Sequence, residues 1–241
     1  APENDAEAQA VERALTRLAR QLGQPLPGKA KPIPPARIDL SLPRPEAQSV
    51  EFAVKAHLHE PDAPVHYVEN SLICSLFGLL CWQAIFAPVP GAFFHPFHTA
   101  PVDLFSADFH TQREELFASC MAHLDSDAYK QVIRENYAAK FGIQSPFVFW
   151  AALDETLLEQ ALDCLPAAHL RAWFKRLLLD IKANRAGMPD LIQFWPAEQR
   201  YRMIEVKGPG DRLQDNQRRW LAFCAEHGMP VDVCYVQWAD A

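Results

Sequence analysis

The sequence predicts an α/β domain: a small mixed sheet flanked by helices, joined to an N-terminal helical segment. Three observations carry this. Apolar residues recur at helical spacing through most of residues 5–184. After Gly187 the pattern gives way to short apolar or alternating runs at 190–195, 201–206 and 231–238. The last third of the chain therefore reads helix, strand, strand, helix, strand. With 241 residues, 49% of them hydrophobic, the chain can bury one substantial core.

Taken in order, residues 5–22 set Val11, Leu15, Leu18 and Leu22 at helical spacing with Arg13, Arg17 and Arg20 between them, an amphipathic helix expected to pack on the domain. Residues 23–46 hold seven prolines and few large apolar groups, and read as a semi-rigid connector without a core of its own. Pro45-Glu46 opens a helix running to about His59, which Glu60-Pro61-Asp62 breaks. The most apolar stretch, 64–86, is stopped by Pro88 and Pro90. Its segment 71–87 is short for ~30 Å of hydrocarbon, contains Gln83 and lacks a basic flank, so it reads as a buried core helix and no membrane is expected. Further helices are expected at 111–124, 126–140, 154–164 and 166–184, the last with Pro166 in its first turn. Segments 190–195 and 201–206 suggest a hairpin; 213–227 is a helix closed by Gly228, and 231–238 a final strand. The division is then a helix and proline-rich linker at 1–46 and a domain at 47–241.

The chain opens at Ala1, with no basic segment leading into a short apolar run, so no secretory signal is read and the sequence looks like a piece of something longer. Six scattered cysteines without a C-x-x-C pair fit buried thiols in a reducing cytoplasm rather than disulfides or zinc. The net charge of −7 speaks against a polyanion partner until it is divided: residues 166–220 carry eleven Lys or Arg against six Asp or Glu, +5, leaving −12 elsewhere. Phosphates within a Debye length of about 8 to 10 Å respond to that local field. A solvated basic face fits the same counts.

The chemistry lies in Pro189-Asp190, fourteen residues, then Glu205-Val206-Lys207. In a hairpin, the start of one strand meets the end of the other, and residues two apart on a strand share a face. Asp190, Glu205 and Lys207 can thus converge. Two neighbouring carboxylates repel; a hard divalent cation with oxygen ligands relieves the conflict and acidifies water beside a phosphoryl group. The Lys207 ammonium suits an attacking water or the charge that builds at phosphorus, and the Val206 carbonyl is a further candidate ligand. Gly208-Pro209-Gly210 frees the backbone for close approach. The competing reading is a surface Glu205–Lys207 ion pair and a turn aspartate.

GMPDLIQF at 187–194 and YRMIEVKGPGDRLQDNQRRWL at 201–221 resemble the VRR-NUC branch of the PD-(D/E)XK nucleases, and more narrowly the nuclease domain at the C-terminal end of the Fanconi-associated nuclease family, bacterial members included. Ser49-Val50-Glu51, Glu69-Asn70-Ser71 with LFGLL at 76–80 and Trp82, and Pro101-Val102-Asp103-Leu104 with Asp108-Phe109 resemble it too. The resemblance runs from about Arg37 to Val236, with a VRR-NUC core at about 165–241. It implies a restriction-endonuclease-like core and a DNA nuclease using Mg2+ or Mn2+. Asp190, Glu205 and Lys207 match its catalytic positions; Glu69, Asp190, Glu205 and Val206 would hold metal, although Glu69 alone reads as a helix-start carboxylate. Gln217 matches a recurrent glutamine, and Arg212 is a candidate for a DNA phosphate, with a solvent-facing role the alternative. Asn216 stands where some relatives carry a basic residue.

The same resemblance implies cutting near 5′ flaps, 5′-to-3′ exonuclease action, interstrand-crosslink repair, and upstream DNA-binding and helical-repeat domains in the parent protein. None of these follows from spacing. The helix bearing Arg171, Lys175, Arg176 and Lys182 is expected to offer Lys175 and Arg176 to backbone phosphates. A restriction- or resolvase-type nuclease of the same core and a non-catalytic nucleic-acid-binding module are the alternatives. A cytoplasmic, nucleoid-associated location is expected. His95 and His98 lack a third ligand nearby and read as loop packing; Trp173, Trp195, Trp220 and Trp238 read as core rather than base-stacking platforms.

Overall fold

The computed structural model of the chain describes residues 5–25, 34–44, 46 and 48–239. Helix α1 (Asp5–Leu22) forms where the amphipathic spacing places it. Its attachment is polar, however: Arg13 bonds to Asp215 at 2.6 Å and Gln9 accepts from Arg219 at 2.7 Å. Val11, Leu15, Leu18 and Leu22 are 42 to 61% exposed, so the apolar stripe does not pack on the domain among the described residues.

Strand β1 (Ala36–Pro43) corrects the reading of 23–46 as a connector throughout. Residues 26–33 and Pro45 lie outside the described residues. Helix α2 (Val50–Leu58) starts five residues after the expected Pro45. Strand β2 (Val65–Tyr67) precedes α3 (Leu72–Leu80) and α4 (Trp82–Ile85), so the helix expected over 71–87 is broken at Cys81. Helices α5 (Glu114–Ala122), α6 (Ala128–Lys140) and α7 (Glu155–Cys164) follow the predicted segments. The expected helix over 166–184 divides into α8 (Ala167–Leu179) and α9 (Ile181–Asn184). Asp180 divides them because its backbone is extended and its carboxylate accepts the Ala183 N–H at 2.9 Å, capping the new helix. Strand β3 (Leu191–Trp195), strand β4 (Arg200–Lys207), helix α10 (Asp215–Glu226) and strand β5 (Val231–Ala239) complete the chain.

The sheet order is β1-β5-β4-β3-β2. Strands β1 and β4 both run parallel to β5, while β3 runs antiparallel to β4 and β2. This is the mixed sheet the sequence predicts, one strand wider at each edge. The larger core covers the face of Ile192, Phe194 and Met203 with α3 and α5 to α8; Phe77, Trp173 and Phe174 lie within it. At Gly78 in α3 an added Cβ would stand 2.8 Å from Phe147 Cβ, so glycine lets the 147–148 segment press against the helix. The other face buries Leu42, Val54, Val65, Leu191, Ile204 and Val206 under α2. All six cysteines are free and buried, and no described helix is long and apolar enough to cross a membrane.

Candidate active site

The functional candidates gather where β3 begins and β4 ends. Leu191 pairs with Ile204, so Asp190 arrives level with Glu205. Strand alternation turns Ile204 and Val206 into the smaller core, and Met203, Glu205 and Lys207 to the opposite face. Asp190 Oδ2 accepts the Val206 N–H at 2.7 Å. A strand residue directs its N–H and C=O to the same neighbour. The Val206 carbonyl therefore faces the Asp190 side too, past the point where β3, which begins at Leu191, could donate a ladder bond to it.

Glu205 is fully buried, and no donor meets its Oε2 among the described residues. Lys207 Nζ stands 2.7 Å from Oε1 as an ion pair. That contact satisfies one oxygen and leaves Oε2 a buried acceptor without a donor. Burial, and then the Asp190 charge, push Glu205 up to about 8. Burial also pushes Asp190 up to about 6, against the opposing pull of the Val206 N–H and Lys207, while Glu51 and Glu69 add repulsion. Asp190 thus feels the charges of Glu51 and Glu69, and Glu205 those of Asp190 and Glu69, with the Lys207 ammonium beside them.

Glu69 lies in the turn after β2, exposed, with its Oε2 accepting the Tyr67 hydroxyl. That bond holds the Tyr67 phenol well above its usual range. Phe52 of α2 stacks on the Tyr67 ring at 5.2 Å between centroids. No spacing or motif rule gives Glu51, Tyr67 or Asn70 a role, although Glu51 and Asn70 sit in the segments that carry the resemblance. Among the described residues, no three His, Cys, Asp or Glu side chains form a ready-made metal cage. Asp190 is turned to the Val206 N–H and Glu69 to the Tyr67 hydroxyl.

The other candidates divide. Arg176 is 6% exposed, its guanidinium carbon 5.0 Å from the Trp220 ring centre and 4.6 Å from that of Phe223. It is part of the interior, which corrects its assignment to DNA phosphate. Lys175 is exposed on the same helix. Arg212 is exposed on the loop between β4 and α10. Gln217 closes a capping box at the start of α10, its Oε1 accepting the Gln214 N–H at 2.9 Å. Trp173 and Trp220 are buried, as expected. His95 and His98 face one another at 3.8 Å, each Nδ1 receiving a nearby backbone N–H.

The VRR-NUC domain model matches residues 124–238. The Fanconi-associated nuclease 1 homolog of Pseudomonas aeruginosa is 64% identical over 239 residues, which cover 99% of this chain and 43% of that protein. The chain belongs to the Fanconi-associated nuclease family. Human Fanconi-associated nuclease 1 is 33% identical over 198 residues, 78% of this chain and 19% of that protein. The crystal structure of paFAN1 bound to 2-nucleotide 5′-flap DNA with a gap matches 100% of this chain and 44% of that chain, with a TM-score of 0.95 at 64% identity. The chain thus spans less than half the length of the family members it matches. Its five-stranded mixed sheet with flanking helices is the Fanconi-associated nuclease fold, consistent with a PD-(D/E)XK core.

Proposed function

We propose that the chain hydrolyses phosphodiester bonds in DNA, using Mg2+ or Mn2+ held by Asp190, Glu205, Glu69 and the Val206 carbonyl. The observation that carries this is Glu205: a fully buried carboxylate with Lys207 on Oε1 and no donor on Oε2 among the described residues, beside a second carboxylate at 7% exposure. Such a group is stable only protonated or beside a cation. One lysine cannot neutralise both. The donor set is all oxygen, which fits a hard divalent ion. Bound there, the ion supplies Lewis acidity toward water and toward a phosphoryl oxygen.

The chain's own groups do the rest. The Val206 N–H fixes the orientation of Asp190. Lys207, anchored by Glu205, offers N–H donors to an attacking water or to the negative charge building on the phosphoryl oxygens. Arg212 and Lys175 bind backbone phosphates as exposed cations. The Gln217 oxygen serves the helix cap, leaving its NH2 to donate to DNA. On this reading the nuclease unit is 47–241 with β1 added at the sheet edge.

Relatives bear on the substrate. The similar paFAN1 structure holds 5′-flap DNA, and we take flap cleavage, with 5′-to-3′ digestion and interstrand-crosslink repair, as the role of the whole protein, whose upstream DNA-binding and helical-repeat domains would select the branch. Its place is beside the chromosome. The test is cleavage of labelled flap, duplex and four-way DNA with Mg2+ or Mn2+, parent against Lys207→Ala. Flap cutting by the parent and none by the variant supports the proposal. Binding without cutting by the parent would make the chain a binding module, and preference for four-way DNA a resolvase-type enzyme.

A further inference from the structure

The loop 186–190, which delivers Asp190, is pinned at three places. At its start, Ala186 O accepts the Trp220 indole N–H at 3.1 Å. At its end, Asp190 O accepts the Val68 N–H at 2.9 Å while Oδ2 accepts Val206 N–H. The middle pin is a side chain: Asn70 Oδ1 accepts the Met188 N–H at 3.0 Å. Asn70 adjoins Glu69 and has φ +55, a left-handed conformation that asparagine tolerates better than most residues. Its Nδ2 lies 3.4 Å from Glu69 Oε1. One amide thus spans the turn that carries Glu69 and the loop that carries Asp190.

We propose that Asn70 is a positioning residue, which fixes the Glu69 turn against the Asp190 loop so that both carboxylates address one divalent cation. It is not itself a ligand. This rests on the reading of the site given above. The two acids come from segments 118 residues apart for the Asn70–Met188 link, and no ladder hydrogen bond crosses at residues 69 and 188 because β2 ends at Tyr67. Without the Asn70 amide, the Val68 N–H to Asp190 O bond still joins the two segments, but Met188 N–H loses its acceptor, and the spacing of the acids is looser. Outer partners of this sort typically change metal affinity by about 10- to 100-fold.

The test is Mn2+ binding by isothermal titration calorimetry on the purified chain, a readout separate from cleavage. Asn70→Gly keeps the left-handed backbone and removes both amide contacts; Asn70→Asp keeps the acceptor for Met188. The expected result is a Mn2+ Kd raised about tenfold or more in Asn70→Gly, with unchanged circular dichroism, and a Kd in Asn70→Asp within a few-fold of the parent. Parent-like affinity in Asn70→Gly overturns the proposal, as does an Asn70→Asp variant that folds yet binds as poorly as glycine. Should Asn70→Gly not fold, amide hydrogen exchange of the metal-free parent decides: protection at Met188 supports the pin, and free exchange there overturns it. A parent chain that binds no Mn2+ removes the cation reading of the site and this inference with it; a parent that binds while Asn70→Gly matches it removes this inference alone.

Discussion

The Val206 N–H donates to Asp190 Oδ2 at 2.7 Å, joining residues 16 apart at the open end of the β3–β4 hairpin. The bond holds one carboxylate level with a second that is fully buried. In the metal-free protein both are raised, Asp190 from 3.8 to about 6 and Glu205 from 4.5 to about 8. The folded state therefore keeps protons that the unfolded chain has already released. Its stability is greatest below about pH 4 as far as these two groups go, and is lost as pH climbs through 6 and 8. Thermal unfolding in chelator should show Tm falling from pH 5 to pH 8. Glu205→Gln, which cannot ionise, should flatten that fall and raise Tm at pH 8 by several degrees, on the order of 2 to 4 °C per kcal/mol recovered. Added Mn2+ should reverse the trend in the parent and not in the variant. A parent Tm that rises from pH 5 to 8 without metal would contradict the burial argument.

Lys207 is the one cation within ion-pair reach of Glu205 among the described residues. Its removal should lower the cleavage rate by about 10²- to 10³-fold, the usual effect of losing one group aimed at transition-state charge. DNA affinity, measured by fluorescence anisotropy in Ca2+, should change less than threefold, roughly 0.7 kcal/mol or below. Equal losses in binding and in rate would make Lys207 a phosphate anchor instead.

Strand β1 gives the region before residue 47 a structural role. Leu42 is 5% exposed and shares the smaller core with Val54, Ile204 and Val236. Leu42→Ala should destabilise the chain by about 2 to 5 kcal/mol in urea unfolding, as buried leucine truncations do. A change under about 0.5 kcal/mol, typical of surface sites, would mean that the segment is a tether.

Arg176 and Arg212 should separate fold from binding. Arg176→Ala removes a guanidinium packed between Trp220 and Phe223, so it should lower Tm while leaving the salt dependence of DNA binding unchanged once folded. Arg212→Ala should do the opposite: an unchanged Tm, weaker binding, and a slope of log K against log salt reduced by about 1. The reversed pattern would return Arg176 to the DNA surface.

Much of this fold is legible along the chain because its long helices and the 190–206 hairpin obey simple periods. Gly187, with φ +91 and Asn216 packed so close that an added Cβ would stand 2.7 Å away, marks the change of period where the site begins. The edge strands are harder. Strand β2 has three residues, too few to show alternation. In β1 the signal is present, with Ile38, Leu40 and Leu42 alternating with Arg37, Asp39 and Ser41, but the flanking prolines obscure it. Asp190, Glu205 and Lys207 could be assembled from hairpin geometry. Glu69 arrives from a distant segment and came only through resemblance. The Asn70–Met188 and Tyr67–Glu69 bonds are tertiary, and no spacing rule encodes them. Arg176 misled because charge was read as exposure, where two aromatic rings make the interior hospitable to a guanidinium.

The most direct test is a crystal of the chain soaked in Mn2+ and measured for anomalous scattering. A peak bounded by the carboxylates of Asp190 and Glu205 and the Val206 carbonyl is the expected result. A fully soaked crystal with no peak there, Glu205 still paired with Lys207 alone, would contradict the assignment of this site to cation-dependent cleavage.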